Sequence, residues 1–259
     1  MNKKVLAVVA ILLLVTVCSV TITVAYFTDM KQTTNVFTVG DIYIELTESA
    51  VMTDSSGNIV ADPSKPRIEG SESGDVLKEH GTLYPGRQVC IDPTVKVTGT
   101  ESAWIAAKLT IKDGTGGLTR LIGYGDDGGH IDIKMLLSGG YLDQTATVGK
   151  LELPDGKYLE NVRYNDEFAL VQIAKPAEGV YEFYFFIKEK LDQNDTVTFF
   201  DQFTVPEEWN SADVQLLHSL ELNFRVYAVQ SVGFDNCQVA MEAAFEDHFA
   251  DLFAGAKQH

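Results

Sequence analysis

Hydrophobic and polar positions alternate with period two through much of this chain. In residues 41–47, Ile42, Ile44 and Leu46 point one way while Tyr43, Glu45 and Thr47 point the other, which predicts a half-buried strand. Over Ala103–Lys112 the inward set is Ala103, Ile105, Ala107, Leu109 and Ile111; Trp104, Lys108, Thr110 and Lys112 are expected to face out. Val180–Lys188 places Tyr181, Phe183, Phe185 and Ile187 on one face, and Leu220–Gln230 does the same with Leu222, Phe224, Val226 and Ala228. Further strands are expected at 131–137, 169–174 and 196–205, and at 87–98, where Pro93 imposes an edge or a break. Residues 48–82 lose the alternation and carry Ser55-Ser56-Gly57-Asn58, Pro63, Pro66 and Gly70, the signature of a long loop with a short hairpin. A helical turn fits 206–217.

The period changes at the end. Met241, Ala244, Phe245, Phe249 and Leu252 form one apolar stripe, with Glu242, Glu246 and Asp247 off it. This predicts a helix over about 235–253, with Asp235 as cap and Gln238 completing a capping box. The elements together describe a mainly β chain: an antiparallel β-sandwich with a C-terminal α-helix and long loop insertions. No βαβ alternation and no internal repeat is visible.

The first 25 residues obey a different rule. Lys3 and Lys4 precede an apolar-dominated run from Val5 to Val24, and Thr23 and Ala25 occupy −3 and −1 of a cut before Tyr26. That is the layout of a secretory signal. The run of about 20 residues also has the length of a bilayer-spanning helix, so an uncleaved N-terminal anchor is the competing reading. Both export the body of the chain, to the medium or the cell surface. The expected organisation is a signal peptide or anchor at 1–25, an extended segment at 26–40 and a sandwich domain at 41–259.

Charge and cysteine content narrow the class. The formal net charge is −17, and removing Lys3 and Lys4 makes it more negative. Such a surface repels nucleic acid and favours solubility. Cys18 lies inside the leader, which leaves Cys90 and Cys237; one bridge between them is open, a disulfide scaffold is not.

Motifs for chemistry are sparse. Gly123-Tyr124-Gly125-Asp126-Asp127-Gly128 matches G-x-G-x-x-G, but no helix opens after it and its two aspartates repel phosphate. His80, His130, His218, His248 and His259 are scattered, without H-E-x-x-H. No G-x-S-x-G is present. Asp126, Asp127 and Asp132, or Asp192, Asn194 and Asp195, could supply oxygens to calcium, though neither set completes a calcium loop. No other cofactor and no catalytic residue is suggested, so the residues read as non-enzymatic.

The junction Ala25-Tyr26-Phe27-Thr28-Asp29 and the stretch Phe37-Thr38-Val39-Gly40-Asp41 resemble the exported TasA/camelysin family of Gram-positive bacteria. The likeness continues at Leu83-Tyr84-Pro85-Gly86, Asp92-Pro93-Thr94-Val95-Lys96-Val97, Asp201-Gln202-Phe203, Pro206, Trp209, Tyr227-Ala228-Val229-Gln230 and Gly233-Phe234, and leaves about 114–175 unmatched. The resemblance implies cleavage by a dedicated signal peptidase. It implies a jelly-roll-like sandwich that builds extracellular biofilm-matrix fibres, alone or with other matrix proteins. It further implies that the N-terminal segment of one subunit completes the sheet of the next, giving a head-to-tail homopolymer. The donor would be Tyr26–Val39, with Phe27, Val36 and Phe37 as anchors and Gly40 as hinge. The other possibility for this segment is that it folds back as the first strand of its own domain. The family also includes camelysin, a surface metalloendopeptidase, so that activity is the alternative function, although no zinc motif accompanies it here. A surface adhesin or carbohydrate-binding sandwich, with Trp104 or Trp209 as platform, is a third.

Overall fold

A computed structural model describes residues 28–32, 35–38, 42–69, 83–113, 117–122, 133–152, 157–173, 179–216, 220–254 and 257–258. The largest sheet runs in the order β11 (Thr147–Glu152), β12 (Lys157–Tyr164), β13 (Phe168–Ile173), β14 (Val180–Ile187), β9 (Ala103–Asp113), β17 (Leu220–Gln230), β1 (Thr28–Gln32) and β2 (Asn35–Thr38). A ninth strand, β18 (Lys257–Gln258), pairs with β12. A second sheet orders β10 (Leu137–Ser138), β16 (Gln202–Thr204), β7 (Gln88–Cys90), β5 (Ile59–Ala61) and β4 (Val51–Thr53). A third orders β15 (Thr196–Thr198), β8 (Thr94–Val97), β3 (Ile44–Glu48) and β6 (Ile68–Glu69). The pairings are antiparallel apart from β5 with β7. Two short helices, α1 (Gly117–Ile122) and α2 (Ser211–Gln215), the long α3 (Cys237–Ala254) and two 3₁₀ turns at Ile133–Met135 and Gly140–Asp143 complete the regular elements described.

The two smaller sheets pack on one face of the large one, and α3 packs on the other. The sandwich core takes Ile105, Ala107, Leu109 and Ile111 of β9, Tyr181, Phe183 and Phe185 of β14, and Phe224, Val226 and Ala228 of β17, set against Ile44, Leu46, Val89, Val95 and Val97. This is the alternation expected, since residues two apart share a face. The aromatic bulk packs edge to face: Phe185 with Phe199 at 5.5 Å and Phe199 with Phe224 at 5.1 Å between centroids. The mainly β, antiparallel, sandwich-like architecture with a C-terminal helix is therefore present.

The helix stripe also holds. Met241, Phe245, Phe249 and Leu252 are buried against Trp104, Ala106, Tyr184, Phe186, Tyr227 and Val229. The cap differs by one position: the Asn236 side chain accepts from Val239 N–H at 3.0 Å, so Asn236 and not Asp235 opens the helix. Phe245 breaks helical geometry (φ −136°, ψ 37°), which kinks α3.

Other expectations are corrected. Trp104 is only 8 % exposed, because α3 covers this end of the supposedly outer face. Trp209 is 7 % exposed, so neither tryptophan is an open platform. The single strand expected at 196–205 is two strands in different sheets. Phe199 and Phe200 are consecutive and both buried, which interrupts the alternation as the chain crosses between sheets. At this crossing Gly139 and Gly140 have φ of 82° and 52°, and a side chain on either would collide with Asp201 or the Thr198 carbonyl. Pro93 marks the break between β7 and β8, as its missing donor requires. In the region read as loop, β4 and β5 form the short hairpin around a turn in which the Asp54 carboxylate accepts from Ser56 N–H and Asn58 N–H. The strands β11 and β12 had no counterpart in the alternation pattern.

Candidate assembly interface

Two edges bound the large sheet, and the candidate donor segment lies at one of them. Strand β17 pairs along its full length with β9, from Leu220 opposite Asp113 to Gln230 opposite Ala103. Its other edge takes β1, with Thr28 opposite Val229 and Gln32 opposite Arg225. Strand β2 runs back along β1, with Asn35 opposite Gln32 and Thr38 opposite Asp29. Of the predicted anchors, Val36 and Phe37 lie on β2, opposite Lys31 and Met30. Thr23, Ala25, Tyr26, Phe27 and Gly40 lie outside the described residues, as does the apolar run 5–24. Among the described residues no helix is long and apolar enough to cross a membrane.

The segment expected to be one extended strand is thus a hairpin folded onto its own domain. Sequence missed the β1–β2 pairing because the residues between the two strands carry none of the Asn-Gly or Gly-x signals of two-residue hairpins. The pairing partner is well built for reception. Val226, Tyr227, Ala228 and Val229 of β17 are fully buried, so the strand is fixed in place from both faces. Main-chain groups along its edge pair with those of β1. From Thr38 to the start of β3 at Ile44 the chain has six steps, which reach about 20 Å when extended. A hairpin tethered this way can occupy the same edge of its own sheet or of one within that reach.

The other candidate groups are placed as follows. Cys90 is half-buried on β7 and Cys237 is buried at the start of α3; both are free thiols. Burial, then the neighbouring Asp92 and Asp201 carboxylates, push the Cys90 thiol up to about 11, which makes it a poor nucleophile. The Cys237 thiol, also raised by burial, donates to the Ile105 carbonyl at 3.2 Å. Asp192 and Asp195 are engaged in their own turn: Asp192 N–H donates to Asp195 Oδ2 at 2.8 Å, and Ser102 donates to the Asp192 carboxylate. Asn194 takes the left-handed conformation there (φ 72°). Asp126, Asp127, Asp132, the glycine motif 123–128, and His80, His130, His218 and His259 lie outside the described residues. Among the described residues no three His, Cys, Asp or Glu side chains are grouped to hold a metal ion.

Sequence reasoning missed one polar knot. Arg67 donates to Asp92 Oδ2 at 2.7 Å, to the Asp92 carbonyl at 2.8 Å, to Ser49 Oγ at 3.0 Å and to Thr94 Oγ1 at 2.8 Å. Asp92 in turn accepts from Ser49 N–H at 2.7 Å. This fork ties the end of the 48–69 excursion to β8 and gives Arg67 a positioning role. No family model matches the chain, and no curated protein or solved structure is significantly similar to it.

Proposed function

We propose that this chain is an exported, self-assembling structural protein of the cell surface or extracellular matrix, and that it polymerises by exchanging its N-terminal hairpin between neighbouring subunits. The observation that carries the reading is the location of residues 28–38 at the edge of β17, next to the short tether into β3. Contacts made by the hairpin are the same whether it binds its own β17 or a neighbour's, so exchange costs little beyond ordering the tether. Donation from each subunit to the next does not close on itself and grows a filament. The leader-like residues 1–25 and the acidic composition agree with an exported, soluble precursor. The resemblance to the TasA/camelysin family agrees with the same role, with the signal peptidase as processing partner.

The test uses protein 26–259, watched by light scattering and electron microscopy as concentration rises. Filaments are expected, and a synthetic peptide of residues 26–38 added in excess should cap β17 edges and stop growth. Protein that stays monomeric at every concentration, or filaments that grow unchanged in the presence of the peptide, would falsify the exchange mechanism.

A further inference from the structure

Backbone pairing holds β1 beside β17 without choosing which residues meet. The ladder repeats every two residues, and a slip by two keeps every side chain on its face. Strand β1 has little alternation to resist such a slip, with Met30 the one apolar residue among four polar ones. A single register needs particular residues to mark it.

Strand β17 carries two marks on the face toward α3. Tyr227 is fully buried, with the rings of Phe245, His248 and Phe249 at 5.1, 5.4 and 5.0 Å. Arg225, two residues away, is partly exposed. Its guanidinium hydrogen-bonds the Tyr227 hydroxyl and opposes the rise in pKa that burial causes there. Its Nε, by contrast, is buried without an acceptor, and native structures normally give such a donor one. Strand β9 does not supply it, because it sets Lys108 opposite Arg225, and the Lys108 ammonium is a donor held by Glu182 at 2.8 Å. On the other side, β1 sets Gln32 opposite Arg225 and Met30 opposite Tyr227.

Residues directly opposite in an antiparallel pair share a face. In the observed register each mark therefore meets a residue of its own kind: an amide, which carries an acceptor, at the orphaned donor, and a thioether at the buried ring. A slip by two in one direction would bring Met30 to Arg225, which leaves Nε–H without a strong acceptor. A slip in the other direction would bring Gln32 to Tyr227, where its amide would lose water among aromatic rings. A slip by one would turn both residues to the wrong face.

We propose that Arg225 is the specificity-determining residue of the hairpin seam: with Tyr227 it selects a strand that has an acceptor at position 32 and an apolar residue at position 30, and so fixes the register in which the hairpin docks. Across a subunit boundary this rests on the exchange proposed above; within one subunit the same residues meet in the same register.

The experiment follows hydrogen exchange by mass spectrometry over residues 28–38 of monomeric protein 26–259, with β9 and β14 as internal reference. Arg225→Met keeps the apolar stem and should lower protection of 28–38 about tenfold while β9 and β14 hold theirs. Gln32→Met should do the same, and the double variant should lose no more than either single one. Gln32→Glu should raise protection about threefold, and only where Arg225 is present. An unprotected 28–38 segment in the parent protein, unchanged protection in Gln32→Met, or single losses that multiply in the double variant would overturn the proposal. Filaments are not needed for this measurement, so their absence would end the exchange reading alone.

Discussion

The two faces of the nine-stranded sheet are built on opposite plans. Toward the sandwich, the central parts of β9, β14 and β17 contribute apolar and aromatic side chains, and every one of Ile105, Ala107, Phe183, Phe185, Val226 and Ala228 is at most 1 % exposed. Toward α3 the same strands carry Lys108, Glu182, Tyr184, Arg225 and Tyr227 beside an apolar stripe. The first face obtains its stability from area and packing alone, which are insensitive to pH and salt. The second carries the Lys108–Glu182 ion pair and faces His248 of α3, so its stability depends on what is protonated. One sheet thus separates holding the fold from responding to conditions.

Three perturbations sharpen the contrast. Phe185→Ala, which empties the centre of the aromatic cluster, should cost about 3–5 kcal/mol in denaturant unfolding and be the same at every pH tested. On the other face, Glu182→Gln leaves the largely buried Lys108 without its counter-charge and should cost about 2 kcal/mol, with less loss at high salt. Acidification is the mildest. His248 has a folded pKa below its usual 6.5, so the unfolded chain takes up the proton first. The His248 contribution is complete above about pH 6.5 and is lost as pH falls toward the lower folded value; His248→Gln should flatten that slope, which urea midpoints between pH 7 and 5 can measure. If Phe185→Ala proved pH-sensitive, or if His248→Gln left the slope intact, the division between the faces would fail.

The sequence spoke clearly where one periodicity ran unbroken. β9, β14, β17 and the α3 stripe were legible because each buries a continuous row of residues at a single spacing. It was mute where two demands overlapped. Trp104 looked exposed because alternation tells which side a residue is on, not whether a helix later covers that side. The chain at 199–201 looked like strand because Phe199 and Phe200 are apolar, although they serve a crossing. The N-terminal hairpin was hidden because β1 has one apolar residue among four polar ones (Thr28-Asp29-Met30-Lys31-Gln32) and shows no alternation. The Lys108–Glu182–Tyr184 cluster was hidden more deeply, since its members come from β9 and β14 and meet only through register.

The pairing of β18 with β12 places the described end of the chain on the side of the sheet away from β17. About four strand spacings, roughly 19 Å, separate β18 from β1. If subunits exchange hairpins as proposed, a fluorescent protein fused after His259 would decorate growing material without crowding that edge, whereas the same fusion ahead of residue 28 would block it.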